Sequence, residues 1–230
     1  MRPIPRRTAL AGVAAAIAAP ALGHSTGELE QLLGDKEQFF QAFNRETPAF
    51  TLSGADGNLV RPADLSGKVV VLHFVYASCP DVCPLHAEKL AEVQEMVNRT
   101  PMKDLVQFVS ITTDPGNDTP DLLRDYGPAH GLDAANWMFL TIAPGQPEDT
   151  TRDLAKSFGH RFDVVDDGAQ VHGVVTHVID MTGGWRANFY GLRFDPTNMV
   201  LFINALTNDS ANPHGPSEPS LWEQVKELFN

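Results

Sequence analysis

The sequence predicts an α/β fold in which a mixed central sheet carries helices on both faces. Three observations predict it. The stretch "KVVVLHFVY" (68–76) is a continuous, β-branched apolar run, as a strand buried on both faces requires. Strand-like and helix-like segments alternate from there, β-α-β-α-β-α, which specifies parallel strands linked by helical crossovers. A hairpin pattern stands on each side of that alternation.

The elements follow in order. "ELEQLLGDKEQFFQAF" (28–43) places Leu29, Leu32, Leu33, Phe39, Phe40 and Phe43 at helical spacing and predicts an N-terminal helix broken by a glycine. "AFTLSGADGNLV" (49–60) reads as a hairpin turning at Gly54–Gly57. After the central strand comes a helix, "LHAEKLAEVQEMVNR", with Leu85, Leu90, Val93 and Val97 expected on one face. "LVQFVSITT" is the next strand, and "NDTPDLLRDY" opens a helix with Thr119 as cap and Pro120 in its first position. "WMFLTI" is a strand and "EDTTRDLAKSF" a helix. "VHGVVTHVID", the turn "MTGG" and "WRANFY" form the second hairpin, and "DPTNMVLFINAL" closes the domain as a helix. "TNDSANPHGPSEPS" is a polar linker, and "LWEQVKELF" is an amphipathic helix expected to fold back onto the domain.

Hydrophobic residues at 43% and charged residues at 20% give a globular composition. The formal charge of −12 excludes a general nucleic-acid binder, because no basic footprint offsets it. The N-terminal stretch differs in kind. Arg2, Arg6 and Arg7 precede the apolar run "TALAGVAAAIAAPALG", which reads as an export signal cut after Gly23. The run is short for a span of roughly 20 residues, so retention as a membrane anchor is the lesser expectation. Export places the mature chain in an oxidising compartment, the periplasm.

The only two cysteines, Cys79 and Cys83, stand in "ASCPDVCPLH" where the central strand gives way to a helix. A thiol at a helix N-terminus ionises readily, and thiolates serve both disulfide exchange and metal binding. A static disulfide would close a tiny loop and constrain the unfolded chain little. A closed zinc site lacks a second cysteine pair. Redox exchange suits the strand–cysteine–helix context, which resembles a thioredoxin-like fold. Copper suits two thiolates joined by an imidazole.

"FVYASCPDVCP", "DLSGKVVVLHF" before it, "VQFVSITTDPGNDTPDLLRDY" after it and "VVTHVIDMTGGW" resemble the ordered motifs of the Sco/SenC family of copper chaperones, over Pro48 to Leu206. That resemblance implies a thioredoxin-like copper-binding domain over residues 46–208. Around it lie an export signal (1–23), an N-terminal helical segment (24–45) and a linker with the C-terminal helix (209–230). It implies Cys79, Cys83 and His177 as ligands of Cu(I) or Cu(II). It also implies delivery of copper to a protein such as a cytochrome oxidase subunit, for assembly of the copper A centre. A copper donor or a thiol reductant is an expected second partner. A metallochaperone is expected rather than an enzyme; the alternative is a thiol–disulfide oxidoreductase, or a redox sensor, in which Cys79 and Cys83 are the catalytic pair. A peroxidase of the same superfamily is disfavoured, since no peroxide-activating residues are recognisable.

Other histidines and acids have plainer expectations. His172, five residues before His177, falls on the opposite face of a regular strand and is expected to be structural. His86, at i+3 from Cys83, is a candidate for supporting the ligands, and His24 would be a flexible N-terminus after cleavage. His73 is a polar intrusion into an apolar strand. Asp114 and Asp118 are expected in turn and cap roles, and Asp81 in tuning the cysteine loop.

Overall fold

The computed structural model describes residues 26–164, 170–171 and 173–211. The export segment, His24, His172 and the residues from 212 onward lie outside them. The described elements are α1 (Thr26–Lys36), β1 (Phe40–Glu46), β2 (Leu52–Gly54), β3 (Leu59–Val60), β4 (Val69–Val75), α2 (Val82–Asn98), β5 (Val106–Thr112), α3 (Pro120–Ala129) and β6 (Trp137–Ile142). They continue through α4 (Thr150–Ser157), β7 (Asp163–Val164), β8 (Gln170–Val171), β9 (Val175–Ile179), β10 (Gly184–Tyr190) and α5 (Pro196–Ala211).

Eight strands form one mixed sheet in the order β1-β10-β9-β4-β5-β6-β2-β3, and β7 with β8 makes a separate small ribbon. β4, β5 and β6 are parallel, as their helical crossovers require, whereas β9 and β2 join antiparallel on either side. Every residue of β4 is buried. Burying each Val or Leu side chain there contributes roughly 1.5–3 kcal/mol, so this strand anchors the core.

Strand alternation divides that core in two. Val69, Val71 and Val75 point to the face covered by α1, α2, α3 and α5. Val70, Leu72 and Phe74 point to the face covered by α4 and the 3-10 turn that carries Leu65. The N-terminal caps match the sequence: Thr119 Oγ1 accepts from the Leu122 amide at 3.3 Å, with Pro120 in the first position of α3.

Two local expectations change. The N-terminal helix stops at Lys36, and residues 40–46 become an edge strand paired with β10. Phe40 packs against Phe189 and Phe202 on the α5 face, while Phe43 stacks on Trp185 at 4.6 Å on the other. An odd spacing of three puts two side chains on opposite faces of a strand, but on one face of a helix. Within α2, Leu85 is exposed; the buried stripe is Cys83, His86, Ala87, Leu90, Val93, Gln94 and Val97. That stripe follows the i, i+3, i+4, i+7 rule from Cys83, and Leu85 lies off it.

Candidate metal centre

β4 delivers the chain to the cysteine loop, and α2 carries it away. Asp81 occupies the N-cap position of α2 without a side-chain cap hydrogen bond, so Cys79 precedes the helix and Cys83 lies in its first turn. Both cysteines are free thiols; Cys79 is 6% exposed and Cys83 2%. Burial alone would raise the Cys79 pKa. The Asp81 and Cys83 amides, the Cys83 thiol and the Tyr76 hydroxyl all donate to its sulfur, and together they hold it below the ordinary thiol value. Cys83 moves the other way: burial pushes its thiol well up, and the nearby charges of Cys79 and Asp118 add to the effect. Cys79 therefore ionises more readily than Cys83, whose thiol donates toward the Cys79 sulfur. The amides at the start of α2 thus act on Cys79.

Asp118 fixes the loop from beneath. It is 3% exposed, and its Oδ2 accepts from the Ala77 amide at 3.0 Å and from the Thr112 hydroxyl. Burial raises its pKa in spite of these donors. Tyr126 on α3 donates its hydroxyl to the Cys83 carbonyl at 3.0 Å, which ties the first turn of α2 to the neighbouring helix. Sequence reasoning gave Asp118 a turn role and missed Tyr76 and Tyr126 altogether. For Asp118 the available signal was position, since it follows the C-terminal end of β5 beside the end of β4, where parallel strands gather their functional loops.

The structure does not bring His177 to the cysteines. His177 pairs with Leu72 in the β4–β9 register, and its ring packs against Phe74, Phe158 and Trp185 on the α4 face. Cys79 and Cys83 belong to the core of the opposite face. Both ring nitrogens are engaged: Nδ1 with Asn188 Oδ1 at 2.7 Å, and Nε2 with His160 Nε2 at 2.9 Å. Trp185 Nε1, which can only donate, also bonds Asn188 Oδ1 at 2.9 Å, so that atom is an acceptor and His177 carries its proton on Nδ1. His177 Nε2 then accepts from His160. Burial and the neighbouring His160 hold the His177 pKa well below the ordinary imidazole value. Among the described residues no three His, Cys, Asp or Glu converge to hold a metal ion.

The chain enters β9 at the cysteine end of the sheet. His73 on β4 pairs with Thr176, and β9 runs antiparallel to β4, so Val175 lies next to the strand end that leads to Cys79. No strand is formed at residues 173–174, so the alternation that set His172 against His177 does not carry through. A cavity of about 570 Å³ lined by Thr47, Phe50, Leu65, Val70 and Asp180 lies at the start of β4, at the far end from the cysteines. No helix among the described residues is long and apolar enough to cross a membrane.

Comparison with known proteins places this geometry. A family model described as SCO1/SenC matches residues 38–206. An SCO2-like protein of Rickettsia conorii is 31% identical over 157 residues, covering 67% of this chain and 73% of that one. Among solved structures, BsSco, described as having a disulfide switch and as a member of the Sco family of cytochrome c oxidase assembly proteins, is 22% identical. It aligns with a TM-score of 0.63 over 73% of this chain and 96% of its own. ScoI of Bradyrhizobium japonicum, solved with copper bound, is 23% identical with a TM-score of 0.57, over 69% of this chain and 98% of its own.

Proposed function

The chain belongs to the SCO1/SenC family, and from that premise we propose that it is an exported, periplasmic copper chaperone. It binds the ion through Cys79, Cys83 and one histidine. It delivers the ion to a copper-receiving protein such as a cytochrome oxidase subunit, and a copper donor or a thiol reductant prepares it for the next transfer. The observation that carries this reading is the Cys79 sulfur, buried yet reached by four donors that favour its ionisation, beside a second thiol. A soft two-sulfur donor set of this kind favours Cu(I), and an added imidazole accommodates Cu(II). Delivery is ligand exchange: incoming cysteines or histidines replace all three ligands. Each new bond to the ion forms as one of this chain's bonds to it breaks, and no covalent bond of the chain changes. The fold shared with a relative solved with copper bound supports the reading, together with the Cys79–Cys83 pair.

The histidine we assign is His172 in place of His177. The His177 nitrogens are both held, on the sheet face away from the cysteines. His172 lies outside the described residues, but it precedes by three the residue at which β9 begins beside the cysteine end of β4.

An oxidoreductase reading is favoured by the asymmetry of the pair. The Cys79 thiolate would attack a partner disulfide and form a mixed disulfide. Cys83 would then lose its proton and attack the Cys79 sulfur, leaving a Cys79–Cys83 disulfide and a reduced partner. Anaerobic titration of the reduced protein with Cu(II), followed through thiolate-to-copper charge-transfer bands, separates the readings. Wild type and His177→Phe, which keeps the aromatic packing, should saturate at one equivalent with matching bands, while His172→Ala loses or shifts them. Bands lost in His177→Phe but kept in His172→Ala would return the ligand role to His177. Rapid oxidation to the disulfide without a coloured complex would favour the reductase.

A further inference from the structure

The cavity at the far end of the sheet from the cysteines has walls fixed by hydrogen bonds. The Thr47 amide donates to the Gly183 carbonyl at 3.4 Å, and the Gly67 amide donates to the Met181 carbonyl at 2.9 Å. The Arg61 amide donates to Asp64 Oδ2 at 2.8 Å and steadies the 3-10 turn that forms the opposite wall. The space is built into the fold. Its volume of about 570 Å³ falls in the range of sites for whole small molecules, roughly 300–1,000 Å³.

Floor and rim differ in chemistry. Val70 and Ile179 on the sheet and Leu65 on the turn are buried, and Phe50 lies beside them. That floor suits an aliphatic chain. Two acceptors at the rim are left over. Thr47 Oγ1 is buried with no hydrogen-bond partner among the described residues, whereas a buried hydroxyl is normally paired. Glu46 is exposed, and among the described residues no cation pairs with it. The other carboxylate of the cavity, Asp180, is already engaged: it accepts from Thr182 and Gly184 and is neutralised by Arg186.

We propose that this cavity is a binding site for an aliphatic ammonium compound, with the chain on the apolar floor and the ammonium at the rim. An ammonium group has only donors, so it can donate to Thr47 Oγ1 and to the Glu46 carboxylate together. An alcohol of the same length lacks the charge, and a carboxylate would meet Glu46 with a like charge. The site shares no residue with the cysteine loop. The seven residues of β4 lie between them, which is roughly 20 Å at 3.3 Å per residue. Binding is noncovalent and moves no proton.

Isothermal titration of the full chain with n-octylammonium chloride, kept below its micelle concentration, tests this, with n-octanol and octanoate as controls. One molecule should bind per chain, octanoate should bind weakest, and the octylammonium affinity should fall as salt screens Glu46. Thr47→Val keeps the side-chain shape and should weaken octylammonium by about two- to tenfold, the range for one hydrogen bond. Glu46→Gln should weaken it by up to about fivefold and leave octanol unchanged. Ala63→Trp, at an exposed position on the rim, should abolish binding of both. Thr47→Val keeps the test readable if Ala63→Trp does not fold. Cys79→Ser should bind octylammonium as wild type does. Absence of binding overturns the site, as does binding that survives Ala63→Trp and Thr47→Val alike. Octanol or octanoate bound as tightly as octylammonium overturns the assignment of an ammonium.

Discussion

Cys79 and Cys83 have the same chemistry in the sequence and opposite chemistry in the fold. Four donors reach the Cys79 sulfur, whereas at Cys83 burial outweighs the single Tyr76 amide, so Cys79 is the more readily ionised of the two. Tyr76 is one of those donors, and burial and its bond to Cys79 keep its own hydroxyl protonated. Tyr76→Phe should raise the Cys79 midpoint by up to about one pH unit, near 1.4 kcal/mol of lost thiolate stabilisation. Thiolate absorbance followed against pH checks this, and an unmoved midpoint would remove Tyr76 from the site. At this scale the cysteine pair was legible because its chemistry is local: two thiols at a strand–helix junction need no partner to be noticed. His177 misled, because which way a ring points depends on Asn188 and His160, eleven and seventeen residues away. Nothing in its immediate neighbours announces either.

Among the elements, α3 and β6 meet at a point where glycine is required. A Cβ on Gly127 would stand 2.4 Å from the Trp137 ring, too close for any side chain. Gly127→Ala would gain about 1 kcal/mol in helix propensity, but it pushes on an indole that is bonded to Ser110. Overpacking of this sort costs about 1–3 kcal/mol, so the variant should be less stable by urea denaturation despite the better helix former. The apolar strands were readable because burial on both faces leaves an uninterrupted run. β1 was not, since three phenylalanines at positions 39, 40 and 43 fit a helical stripe as well as a bulged strand. Only the partners on β10 and α5 decide between them.

Across the whole molecule, the sheet separates two polar systems, the cysteine and His73–His86 layer under α2 and the His160–His177–Asn188 chain under α4. The second has a linkage consequence. Folded His177 holds a proton less tightly than the unfolded chain does, where imidazole titrates near 6.5. Its contribution to stability is therefore complete above about pH 6.5 and is lost as pH falls from there toward the folded value. Urea midpoints measured between pH 8 and pH 5 should decline below about 6.5, by up to roughly 1.4 kcal/mol per pH unit from this group. His177→Phe should flatten the decline, and an unchanged slope would place the acid sensitivity elsewhere. The α/β alternation made this two-faced architecture legible from the sequence, but not which face each histidine occupies, because that depends on register.

β1 and β3 form the two margins of the eight-stranded sheet. Unpaired margins invite other chains to add on, which is how sheets aggregate. β3 is two residues long, too short to serve as a template. β1 breaks its register between Ala42 and Arg45 and carries Gln41, Asn44, Arg45 and Glu46. These guarded margins let the chain stay at working concentration without coalescing with its neighbours.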